Sequence, residues 1–202
     1  MDALQAYTTA EAAFILEEPV QQFKKTLEKG PVRIELRRQS GSSRRAIKWS
    51  DLVFLYLAKE LRNDLTPKAR TDFYTAFRKI ESVDKTSEIA FGHFRIDVSD
   101  MIDAVEKKAA ELGKLSESVS FREDGEPLIK GSSVEVYRVA ALLDGGMSVK
   151  DILEDFPSLK KDEVQAAQKY ATAHPKPGRP YPRQTAKRAL QGAGLDALDE
   201  YM

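Results

Sequence analysis

The chain has 202 residues, 42% hydrophobic and 32% charged, which lies between one large domain and two small ones on the usual scale of roughly 100–200 residues per domain. Cysteine is absent and the two histidines, His93 and His174, stand far apart, which excludes a disulfide framework, thiol catalysis, a thiolate zinc site and a His-rich metal site. The zero net charge hides an asymmetry: residues 20–50 carry nine basic and two acidic side chains, 96–163 sixteen acidic and nine basic, and 164–195 six basic and no acid. Such blocks speak of charged partners more than the isoelectric point does. No apolar run approaches the ~18 residues of a membrane span, and the expectation is a soluble, cytoplasmic protein with no cofactor.

In chain order, Thr8 or Thr9 precedes an alanine-rich helical stretch, and Thr8 with Glu11 fits a capping box. Pro19 suits the first turn of a second helix, in which Val20, Phe23 and Leu27 form an apolar stripe. That stripe turns Gln21, Gln22, Lys24 and Lys25 outward, residue types that bond phosphates and base edges. Gly30-Pro31 ends the helix, and two helices on a tight turn have the shape of a helix-turn-helix.

Residues 32–37 alternate apolar and charged, as a strand does, and 44–49 read as the return strand of a β-hairpin. Arg37, Arg38, Arg44, Arg45 and Lys48 cluster on it. Ser50 or Asp51 is expected to cap a helix through Leu61, and Thr66-Pro67 to start another to about Ile80. Residues 87–97 read as one strand, and Ser99 as the cap of a helix from Asp100 to Leu112 closed by Gly113. Asp97, Asp100, Asp103 and Glu106 share a flank of that helix. Clustered carboxylates suit a metal-dependent nuclease, but an acidic first turn also complements the helix dipole, and no base or ligand is near in sequence.

Further on, Asp124-Gly125 turns a second short hairpin. A helix follows with Val136, Val139, Ala140, Leu142 and Leu143 inward, stopped at Gly145-Gly146. Ser148 caps a short helix stopped at Phe156-Pro157, and a last helix runs from Lys161 to Ala173. Residues 175–182 are too rich in proline for regular structure and read as an extended arm. Residues 184–202 have weak amphipathic character.

Two resemblances follow from these residues. Thr8 to Leu16, the Val20/Phe23 helix, the basic hairpin and the Trp49-Ser50-Asp51-Leu52 helix start are similar to the winged helix-turn-helix of MerR-type and excisionase-type DNA-binding proteins. Residues 117–174 resemble a small bacterial and archaeal family catalogued as domain of unknown function 433. The likeness rests on Gly125-Glu126-Pro127-Leu128-Ile129-Lys130-Gly131, Val134 and Val136. It continues through Gly146 to Leu159, and ends on Val164, Ala167, Tyr170 and Ala171. Ser132-Ser133 stand where that family has Thr-Arg.

The resemblances imply a mainly α fold with short β-hairpins. Its parts are a winged helix-turn-helix over 1–80, a connecting strand and helix over 81–116 (a possible dimerisation segment), a homeodomain-like three-helix domain over 117–174, and a basic Pro-rich tail over 175–202. They imply the VapB-type antitoxin half of a type II toxin–antitoxin system. The second helix enters the major groove of operator double-stranded DNA while Arg37, Arg38, Arg44, Arg45 and Lys48 hold the backbone. The tail meets a PIN-like ribonuclease toxin through Lys176, Arg179, Tyr181, Arg183, Lys187 and Arg188. A homodimer or a hetero-oligomer with the toxin is expected. The alternative is a stand-alone winged-helix regulator or adaptor without a toxin partner. Catalysis is not expected.

Overall fold

The structure, a computed structural model, describes residues 6–30, 32, 35–39, 42–80, 87–176, 178–179, 181–185 and 189, with the backbone alone over 35–39 and 42–45. Among these residues the chain forms eight helices and seven strands, and every strand pair is antiparallel. The chain divides into two compact units, 1–112 and 113–202.

In the first unit, β1 (Ala6–Tyr7) leads into α1 (Thr9–Ile15). The cap is Thr8: its hydroxyl accepts from Glu11 N at 3.3 Å while the Glu11 carboxylate accepts from Thr8 N at 2.6 Å. Pro19 is the N-cap of α2 (Val20–Lys29) rather than a residue of its first turn. Strands β2 (Glu35–Gln39) and β3 (Ser42–Lys48) form the hairpin, and β1 adds to it in the order β1-β3-β2.

Helix α3 (Trp49–Glu60) is the centre of this unit, with Trp49, Leu52, Val53, Phe54, Leu55 and Leu57 all buried. A helix apolar around most of its circumference belongs inside a core. It begins one residue before the expected cap, with Lys48 at the N-cap position. Asp51 is buried instead, 3.6 Å from Arg78. Thr66 caps α4 (Pro67–Phe77), which presents Phe73 and Phe77 to Phe54.

Residues 87–97 are not one strand. Gly92, at φ 56°, and His93 turn a hairpin between β4 (Glu88–Phe91) and β5 (Phe94–Asp97), and Phe91 packs edge-on to Phe73 at 5.4 Å. Helix α5 (Ser99–Glu117) does not stop at Gly113. Leu112 and Leu115 are both buried, and a glycine inside a helix costs only ~1 kcal/mol against alanine. Lys108 of α5 pairs with Glu17 at 2.6 Å.

In the second unit, β6 (Val119–Phe121) and β7 (Pro127–Ile129) form a hairpin whose turn places Gly125 at φ 83°. Three helices follow: α6 (Val136–Asp144), α7 (Val149–Asp155) and α8 (Lys161–Ala173). Ser148 and Asp151 form the capping box of α7. The core here is Val136, Val139, Leu142, Ile152, Val164 and Ala167.

Candidate nucleic-acid interface and basic tail

Helix α2 is amphipathic by construction. Phe23 and Leu27 are buried and Val20 is half-buried, whereas Gln21, Gln22, Lys24 and Lys25 are all exposed. A buried Phe or Leu contributes roughly 1.5–3 kcal/mol, so the stripe fixes which side of α2 meets solvent. The outward side offers two amides and two ammonium groups. Tyr7, Ile47 and Trp49 are buried beneath the sheet, the Tyr7 and Trp49 rings 6.4 Å apart.

The β2–β3 hairpin has a defined register. Arg37 stands opposite Arg44, Leu36 opposite Arg45, and Arg38 opposite Ser43. The side chains of these four arginines lie outside the described residues. Lys48, at the end of β3, is exposed.

The acidic flank of α5 is a helix start and not a cluster. Asp97 accepts from the Ser99 backbone N–H at 3.0 Å and from the Ser99 hydroxyl. Those two bonds, the hydroxyl first, hold its carboxyl below the usual range. Among the described residues no three of His, Asp and Glu gather to hold a metal ion.

The described residues of 175–182 form no helix or strand, as expected of an arm, and part of the arm is engaged by the second unit. Lys176 Nζ lies 2.7 and 2.8 Å from the two carboxylate oxygens of Glu126. It also sits 4.3 Å from the Tyr181 ring centre and 5.4 Å from that of Tyr137. Tyr181 donates to the same carboxylate at 3.1 Å, and Tyr137 donates to the His174 carbonyl at 2.7 Å. Burial works against the Lys176 charge, but the Glu126 carboxylate and Tyr181 hydroxyl outweigh it, so the ammonium is held above its ordinary value. Burial, the largest cause, also raises the Tyr137 and Tyr181 phenols.

Thr185 is buried and donates to Asp155 at 3.2 Å. Arg179 and Arg183 are exposed and form no ion pair with a described residue. Lys187 and Arg188 lie outside the described residues. The residue that reading the sequence missed is Glu126, which gathers Lys176 and Tyr181 from fifty and fifty-five positions away. No local pattern signals such a pairing. Ser132 closes the turn after β7 by donating to the Ile129 carbonyl at 2.9 Å and accepting from Val134 N at 3.2 Å.

Residues 123–171 match a family model described as "Protein of unknown function (DUF433)". The chain is 34% identical over 87 residues to "Uncharacterized protein y4eO" of Sinorhizobium fredii (strain NBRC 101917 / NGR234), which covers 42% of this chain and 39% of the relative. The chain thus spans about two-fifths of the length of that curated relative. A solved structure, the X-ray crystal structure of Rv2018 from Mycobacterium tuberculosis, shares 15% identity and covers 80% of this chain and 95% of its own, at a TM-score of 0.27. A likeness that low says nothing further about the fold.

Proposed function

We propose that the chain is an antitoxin-type regulator. Its first unit binds operator DNA as a winged helix-turn-helix, and its second unit and tail hold a PIN-like ribonuclease. The observation that carries the reading is α2, with Phe23 and Leu27 inward and Gln21, Gln22, Lys24 and Lys25 exposed. Glutamine bonds adenine through two atoms in the major groove, and lysine contacts phosphate. The basic hairpin with its Arg37–Arg44 register supports backbone contact beside the groove.

At the other end a metal-holding nuclease cleft is lined with carboxylates. Arginine fits it because its planar fork bonds a carboxylate at two points. Arg179 and Arg183 are the described tail residues with that fork exposed. Lys176 and Tyr181 also anchor the tail on Glu126. That anchoring also favours a second reading, a regulator whose tail is simply part of its second unit.

The test is co-expression with a PIN-like ribonuclease taken from a neighbouring gene. Arg179→Ala with Arg183→Ala is expected to keep binding to the chain's own upstream DNA and to lose growth rescue. Full rescue by that variant would favour the second reading.

A further inference from the structure

In the first unit a groove of about 450 Å³ opens between α2, the end of α3 and the start of α4. That volume lies in the ~300–1,000 Å³ range of small-molecule sites. Leu16, Phe23, Leu55 and Ala58 give it an apolar floor, the first three of them buried. Around that floor stand Lys25, Lys29, Lys59, Arg62 and Arg70, against a single acid, Glu18.

Five cations against one acid give this groove a positive lining. Arg78, Arg95, Lys108, Arg122 and Lys176 each have a carboxylate partner. None of the five groove cations pairs with a described residue. Two are held at the rim by neutral carbonyls only: Lys59 donates to Leu16 O at 2.6 Å and Arg70 to Leu65 O at 3.0 Å. Those bonds fix the groups without cancelling their charge. A concave wall carrying five cations against one acid focuses a positive potential into the groove.

We propose that this groove binds a small organic anion with an apolar body, and that this ligand and DNA compete for α2. A phosphodiester backbone or an inorganic anion answers the cations but leaves the apolar part of the groove lining uncovered. A neutral apolar molecule covers the floor but leaves the charge. An amphipathic anion satisfies both. Gln22 and Lys25 belong at once to the groove wall and to the exposed face of α2. A bound anion therefore neutralises a lysine that DNA needs, and the two ligands weaken each other by the same factor. The ligand site stands without the DNA reading; the competition rests on it.

The experiment titrates the full chain with three probes: anilinonaphthalene sulfonate, its uncharged relative phenylnaphthylamine, and inorganic phosphate. The sulfonate is expected to bind at one saturable site, at least about tenfold tighter than either of the others. Arg62→Gln with Arg70→Gln, both exposed and outside the core, should weaken the sulfonate about tenfold. Ala58→Leu, which fills the floor, should abolish binding, and Arg122→Gln in the other unit should change nothing. Equal binding of the two dyes, equal binding of phosphate, or indifference to the Arg62/Arg70 double variant each overturns the proposal. In a DNA titration the sulfonate should raise the dissociation constant of the parent chain, and about tenfold more dye should be needed to do the same to the double variant. If DNA binds but the dye does not shift it, the competition is wrong. If the dye binds as expected and DNA does not, the DNA reading fails alone.

Discussion

Lys176 and Glu126, fifty residues apart, meet end to end, with the ammonium nitrogen 2.7 and 2.8 Å from the two carboxylate oxygens and the Tyr181 ring 4.3 Å away. One carboxylate thus holds both ends of the segment from 176 to 181. A half-buried, charge-assisted contact of this kind stabilises by about 1–3 kcal/mol. Glu126→Gln is expected to lower the melting temperature of the second unit and to open the tail to protease after residue 176. An unchanged cleavage rate would show that the carboxylate does not anchor the tail.

The same anchor has a pH dependence of definite sign. Burial opposes the Lys176 charge and its partners overcome it, so the folded value lies above lysine's usual ~10.4. Its stabilisation is complete below that usual value and is lost as pH rises through the raised one. The Tyr181 phenol, raised chiefly by burial, acts in the same direction. Near-ultraviolet circular dichroism is expected to report an alkaline transition above about pH 10.4 that begins at lower pH in Glu126→Gln. A transition identical in the two proteins would contradict the assignment.

At the hairpin turn, Asp124 faces Arg122, whose guanidinium lies 2.7 Å away and lowers the carboxyl to about 2, helped by the Glu126 N–H. The pair is complete above the ordinary aspartate range of ~3.9 and is lost as pH falls toward 2. Carboxyl-carbon resonance titration should give Asp124 a midpoint near 2, moving up to the ordinary range in Arg122→Gln. An ordinary midpoint in the parent chain would mean that the turn is not closed by this pair.

Gly145, at φ −79°, is in a conformation open to any residue, yet a methyl group there would come within 2.7 Å of Arg183 Cβ and closer still to its carbonyl oxygen. Gly145→Ala should therefore displace the chain at 183 and expose Thr185, costing roughly 1–3 kcal/mol as other overpacked sites do. Hydrogen exchange over 181–185 measures this. Unchanged protection would place the tail elsewhere.

Local signals in this chain were legible, and distant pairings were not. The Thr8–Glu11 and Ser148–Asp151 boxes are three-residue patterns, and both form as read. The α2 stripe and the bounds of α8 follow from helical period alone. Where the reading of the sequence failed, tertiary burial overrode a local cue. Gly113 is a stop signal by itself, but Leu112 and Leu115 carry α5 through it. Phe91 and Phe94 look alike in a pattern and hide the Gly92-His93 turn between them, though Phe91 is buried and Phe94 is 65% exposed. Asp51 resembles a cap and is instead the buried partner of Arg78. The Glu126 anchor and the cationic groove each draw residues from separate elements, and no spacing announces them.

If the first unit binds DNA as proposed, the hairpin's part in it is separable from that of α2. Arg44→Ala with Arg45→Ala should weaken binding by a similar factor on any duplex and flatten its salt dependence, since phosphate contacts carry no sequence information. Gln22→Ala should instead weaken only the chosen sequence, by about 1–3 kcal/mol. An unaltered salt slope in the arginine double variant would remove the hairpin from the interface.

The most direct measurement is fluorescence anisotropy of the full chain on its own upstream DNA across a range of salt concentrations. If about six of the basic residues on α2 and the hairpin meet phosphate, the binding constant falls with roughly the fifth power of salt concentration. Unrelated duplexes should then bind at least about a thousandfold more weakly. Equal, weak binding to every duplex, or a constant indifferent to salt, would contradict the account.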